Sequence, residues 1–221
     1  MLKNLSKHSI FYLFRFYLKI LFNDIASVLS PIYFAVLLLI IFQIAVGPHQ
    51  ITSDTIVGIT LSAVILSIIM SSDRLIQKDK KDGMLEMIYL SGISPYWFII
   101  VKLVLFTLMA LLIAISVLAT ASVMFAVRYE FFWDMIIPVL ILLPIVSVVI
   151  LFISLITLGF PNKLVQYTLS LPLMIPALIF SVNAIGDGVY TMLIIALNFI
   201  YLPIFIFFSR LVLGDVVAKL R

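Results

Sequence analysis

Apolar runs about twenty residues long, separated by short polar breaks, set the pattern of this chain. A helix that crosses a bilayer needs about 20 mostly apolar residues. Six stretches meet that requirement: roughly Val28–Val46, Thr55–Ser72, Leu103–Ala126, Met135–Leu158, Leu164–Ile185 and Val189–Phe208. Breaks as short as Gly186-Asp187-Gly188 make successive helices antiparallel neighbours. The pattern predicts an all-α polytopic membrane protein: a six-span bundle over residues 28–208, within a single membrane domain covering 1–221.

Two further segments carry helical spacing without spanning length. Near the start, Asn4, His8, Tyr12, Arg15, Lys19 and Asn23 recur every three or four residues, which places them on one helical face. Ile10, Phe14, Tyr17 and Leu21 fall on the other. Ser9–Leu18 is apolar but interrupted by Arg15, and no small-x-small site follows, which argues against a cleaved signal. A basic stripe backed by aromatics predicts an interfacial helix over 1–24, with Arg15 and Lys19 against anionic lipid. It is either a simple anchor or an elbow that braces the bundle or a partner.

The other segment is the long loop over 73–95. Asp82 is placed to cap a helix start, and Gly92 to stop it. Between them Met84, Leu85 and Ile88 share one apolar face, and Glu86 suits the positive end of the helix dipole. A short capped helix with apolar knobs resembles the coupling helix by which an ABC transporter permease docks in its ATPase. An ordinary loop helix lying on headgroups has the same spacing.

Composition sharpens the membrane reading. Hydrophobic residues make up 65% of the chain and charged residues 11%, and the mean hydropathy is +1.32. Soluble domains carry about 25% charged residues. The formal charge of +4 is small, but its distribution is not even. Lys3, Lys7, Arg15, Lys19, Arg74, Lys78, Lys80, Lys81, Lys102, Lys163, Arg210, Lys219 and Arg221 all fall on one side of the six-span topology, and only Arg128 falls on the other. Lys and Arg concentrate in cytoplasmic loops, so the N-terminus, the loops at 73–95 and around Lys163, and the C-terminus are expected in the cytoplasm. That implies a multi-pass membrane protein with both ends on the same side.

The chemistry is mostly a matter of exclusion. There is no cysteine. The sequence has no G-x-x-x-x-G-K-[ST] loop, no H-E-x-x-H helix and no G-x-S-x-G elbow. Neither catalytic nor metal-binding residues are expected, and no cofactor is held by a motif of the chain. His8 and His49 are too few for a metal cluster, and His49 in its loop reads as solvated before it reads as an iron ligand. The span centres lack ionisable residues: Lys102 lies near a span end and can snorkel, and Asn198 is the one amide near a centre. A relay of titrating groups is not expected, so any work must be driven by a partner. No nucleic-acid partner is expected either.

Within the loop, Arg74, Asp82-Gly83-x-Leu85-Glu86, Leu90, Pro95 and Lys102 resemble the corresponding loop of the heme exporter protein B family. Leu171-Pro172-Leu173-x-Ile175-Pro176 in the fifth span is similar to a second motif of that family, and Gly47-Pro48 to a third. The Lys78–Lys81 run is more basic than that family's pattern. The resemblance covers essentially the whole chain. It implies the permease subunit of an ABC transporter in cytochrome c-type biogenesis, with ATP hydrolysed on a separate ATPase subunit. It also implies a homodimeric permease core, other membrane subunits of the maturation system, and heme as cargo. Partner coupling then falls to Asp82, Gly83, Met84, Leu85, Glu86 and Ile88. Rival readings are an ABC permease for a lipid, drug or polysaccharide, and a scaffold of the complex that conducts nothing.

Pro172 and Pro176 each remove a backbone hydrogen bond from the fifth span and should kink it. The kinks either shape packing or bend as ATP is used. Trp97 and Trp133 fall near opposite membrane faces, as in an aromatic belt, and Trp133 also belongs to an aromatic cluster at 129–133 that can meet heme or a partner.

Overall fold

The computed structural model describes residues 12–20, 25–46, 52–72, 76–90, 94–160, 164–185 and 187–218, without the side chains of 25–28, 77–78, 88–89, 129–130, 159 and 216–218. The positions expected for Asn4, His8, Asn23, Gly47-Pro48, His49, Arg74, Gly92 and Lys163 lie outside it, as does the side chain of Ile88. Among the described residues the fold is entirely helical. Residues 12–20 form α1, followed by α2 (Ile25–Val46), α3 (Ser53–Ser71), α4 (Gln77–Lys81), α5 (Met84–Leu90), α6 (Pro95–Met124), α7 (Tyr129–Ile156), α8 (Leu164–Asn183) and α9 (Gly188–Ala218). Six of these, α2, α3 and α6–α9, are long and apolar enough to cross a membrane.

Backbone polar groups have no water to bond in hydrocarbon, which leaves the helix as the available fold for such runs. Hydroxyls inside the spans follow the same rule. Thr60, Ser67, Thr107, Thr157, Ser170 and Ser181 each donate to the carbonyl four residues back, at 2.6–2.8 Å. The core centres on α7, which packs against α6, α8 and α9. Ile145, Val146 and Val148–Leu151 are fully buried there. A helix apolar on every side belongs inside a bundle.

Element ends differ from the sequence expectation in several places. The third span begins at Pro95 instead of Leu103, because Pro at the first helical position needs no N–H partner. Lys102 therefore lies two turns inside α6. That span ends at Met124, and Ala126 takes φ 48, closing the helix with bonds from Val127 N–H to the Ser122 carbonyl and from Ala126 N–H to the Val123 carbonyl. This is a Schellman stop at a position usually filled by glycine. The fourth span starts at Tyr129 and the sixth runs on to Ala218.

A further difference is in the loop, where one helix capped by Asp82 was expected. Two short helices form instead, with Gly83 between them at φ +70. Residues with a Cβ avoid that region, so glycine is what permits the turn. The Gly83 carbonyl accepts the Met87 N–H at 3.1 Å, so Gly83, and not Asp82, stands at the start of α5.

Candidate functional site

One end of the bundle gathers most of its polar structure. The end of α3, the loop helices, the start of α6, the end of α7 and the start of α8 meet there. Gln166 of α8 donates to the Ser72 hydroxyl at 2.8 Å, both buried. The Lys80 ammonium donates to the Leu158 carbonyl just past α7 at 3.0 Å. At the opposite end Gln43 of α2 donates to the Met124 carbonyl of α6 at 3.0 Å. These ties put alternate helix ends together, as an antiparallel bundle requires.

The loop helices are seated on this basic end. Ile76, immediately before α4, is fully buried. Asp79 of α4 is only 5% exposed, and its Oδ2 lies 2.6 Å from the Lys102 Nζ of α6, itself 9% exposed. The same ammonium lies 3.8 Å from the centroid of the Tyr17 ring of α1. A cation over an aromatic face is attracted by the ring quadrupole. Tyr17 in turn packs against Phe98, with ring centroids 6.3 Å apart. A chain segment near the start, the loop and the third span thus share one buried polar joint.

Its electrostatics follow from burial. Desolvation raises the Asp79 carboxyl above its ordinary range. The Lys102 ammonium and the Tyr17 hydroxyl pull it back down, and the nearby Asp82 charge adds to the rise. Burial, reinforced by the Asp79 charge, raises the Tyr17 phenol well above its usual value and keeps it neutral. Lys102 was expected to snorkel. It turns inward instead, because Asp79 supplies a countercharge inside the protein.

The face of α1 that carries Tyr17 is likewise not turned to lipid. Leu13 and Tyr17 are buried in the bundle, while Tyr12, Arg15, Phe16 and Lys19 are exposed. The basic stripe therefore faces outward, and the aromatic back braces α6.

Beyond Gly83 the loop changes character. Leu85, expected as an outward knob, is 3% exposed and belongs to the chain's own core. Met84 is partly buried against the same core. The outward surface of this turn consists of Asp82, Glu86, Met87 and Leu90, with Met87 at 63% and Leu90 at 83% exposure. The bundle itself takes Leu85, so its side chain points inward, and Glu86, Met87 and Leu90 face out. Met87 has no signal of its own in the sequence and Leu90 enters only through the loop motif, because their spacing matters only once the inward face is known.

The prolines expected to kink the fifth span lie within α8, which runs unbroken through both. Pro172 and Pro176 face outward. Polar ties from α9 land beside prolines of its neighbours. Tyr201 donates to the Leu173 carbonyl at 3.4 Å, and Asn198 donates to the Ile141 carbonyl, between Pro138 and Pro144, at 2.8 Å. Trp97 and Trp133 are both about half exposed, near the starts of α6 and α7 and so at opposite ends of the bundle.

Among the described residues no group of three or more His, Cys, Asp or Glu side chains is arranged to hold a metal. The site presents a seated loop with an exposed amphipathic turn, an arrangement suited to contact with another protein.

Comparison with known proteins places this arrangement in context. Residues 8–214 match the model of the CcmB protein family. Over 166 residues the chain is 28% identical to heme exporter protein B of Haemophilus influenzae, a stretch covering 74% of this chain and 75% of that protein. Over 79 residues it is 30% identical to heme exporter protein B of Escherichia coli K12, covering 35% of this chain and 36% of that one.

Proposed function

This chain belongs to the CcmB protein family, and on that premise we propose that it is the permease subunit of an ABC-type heme export complex serving cytochrome c-type biogenesis. The relatives' name supplies the cargo. The complex sits in an inner membrane with the loop end and both termini in the cytoplasm, consistent with thirteen of 14 Lys and Arg falling on that side. ATP is hydrolysed on a separate subunit, since the chain has no phosphate-cradling loop of its own. Two copies form the permease core, beside other membrane subunits of the maturation system.

The observation that carries this reading is the loop. Asp82–Ile88 is the segment that meets the ATPase, as the sequence suggested, with the work divided between its faces. Gly83 sets the turn, and Met84 and Leu85 fix the helix to the bundle. Asp82, Glu86, Met87 and Leu90 form the surface offered to the partner. Glu86 pairs with a basic group there, and the two apolar side chains enter its groove. Arg15 and Lys19 hold the outward face of α1 at anionic headgroups. The prolines at 172 and 176 give α8 the bend by which the bundle answers ATP use.

The test is reconstitution of the permease with its ATPase in heme-loaded vesicles. ATP-dependent heme flux is expected. ATP-dependent release of a heme chaperone without flux would instead show a scaffold that conducts nothing, and movement of a lipid or glycan without heme would overturn the heme assignment.

A further inference from the structure

The buried joint of Asp79, Lys102 and Tyr17 is more than loop packing needs. Ile76 and Leu85 already give α4 and α5 apolar anchors. A buried ion pair adds little net stability over a well-packed apolar pair, because desolvating two charges offsets their attraction. It adds direction: apolar contacts slide, whereas a 2.6 Å contact between an ammonium and a carboxylate fixes position. The three groups also sit on three different elements: α1, the loop and the third span. A further tie from α4, from Lys80 to the Leu158 carbonyl, is made by an exposed side chain. Asp82 is the further charged group that acts on Asp79 here.

We propose that Asp79 and Lys102, with the Tyr17 ring on the ammonium, are positioning residues that lock α4 to α6 and α1, so that displacement of the loop by a partner is passed to the third span and the elbow helix as one rigid unit. The inference rests on the coupling role of the loop proposed above. None of the three residues touches the partner. Its contact surface is the exposed set Asp82, Glu86, Met87 and Leu90, and stays in place when the joint is changed.

The test replaces both charges at once, Asp79→Leu with Lys102→Met, so that no unpaired charge is buried. Three quantities are measured in the reconstituted complex: ATPase retained, ATP turnover, and heme moved or chaperone released per ATP. The double variant is expected to retain the ATPase like wild type and to lose output per ATP by about tenfold, within the range that coupling-network changes produce. Lys102→Arg keeps a cation and is expected to keep the output. Wild-type output per ATP from the double variant overturns the joint. A second measurement needs no change at the joint. The chain has no cysteine, so labels can be placed at Lys81→Cys on α4 and Tyr96→Cys on α6, both exposed. Their separation is expected to stay constant through the ATP cycle, and a change in it would mean that the loop moves independently of α6. Failure of the wild-type chain to hold an ATPase at all would refute the coupling role itself, a result distinct from either outcome at the joint.

Discussion

α4 and α5 are separated by two residues, yet they treat charge in opposite ways. α4 buries a carboxylate against an ammonium and an aromatic ring. α5 buries a leucine and turns Glu86, Met87 and Leu90 outward. One half of the loop is attached to the bundle and the other is exposed. Gly83, at φ +70, is where the change occurs. A loop that must both hold a partner and move the membrane helices needs these two jobs on separate residues. A single amphipathic helix over the same stretch would have to use one face for both.

Removing half of the buried pair should have the largest effect. Lys102→Met leaves the Asp79 carboxylate buried without its cation, and breaking a buried pair from one side destabilises by about 3–5 kcal/mol. Thermal unfolding in detergent should show a clear loss for Lys102→Met and nearly none for the double apolar variant. Equal losses in both would mean that volume, not charge, holds α4.

Gly83 comes next. Gly83→Pro is incompatible with φ +70, since proline holds φ near −65°. No atom lies within 4 Å of the place where a Cβ would stand, so any penalty at this position comes from the backbone alone. Gly83→Ala should cost about 1–2 kcal/mol through the left-handed conformation. Gly83→Asn should cost less and Gly83→Pro more. Protease nicking of the loop checks the order; equal resistance in all three variants would mean that the turn does not need glycine. Proline is tolerated in the first turn of a helix, but the turn between α4 and α5 at φ +70 rules it out here.

The smallest effect belongs to the outward face of α1. Each basic residue near an anionic surface contributes about 1 kcal/mol. Arg15→Glu with Lys19→Glu should weaken association with anionic bilayers while leaving the packing of Leu13 and Tyr17 unchanged. Unaltered membrane yield and complex assembly would show that the face does not meet lipid.

Much of this was legible in the chain. Apolar runs of spanning length can fold only as helices in lipid, and all six appear. The stripe of Tyr12, Arg15 and Lys19 emerged on one exposed face because helical spacing is a local property. The joint was not legible, because Asp79 and Lys102 lie far apart in sequence and no periodicity links them. Asp79 reads there as part of a charged run and Lys102 as a snorkelling span end. The available signal was Lys102 itself: a cation within an apolar helix calls for a countercharge, and the acidic residues of the preceding loop are the nearest in sequence. The direction of α5 was hidden for a related reason. Spacing identifies a face, but only packing decides whether that face looks inward.

Leu85→Asp, the substitution that spacing first suggests as a probe of coupling, would now disrupt the chain's own core and the partner surface together. The direct test is Met87→Asp with Leu90→Asp, since both side chains are exposed and surface changes of this kind shift stability by about 0.5 kcal/mol or less. The measurement is ATPase copurified with the permease, normalised to permease yield. The account predicts normal yield and unfolding temperature with the ATPase lost. Full retention of the ATPase by a normally folded double variant would contradict it.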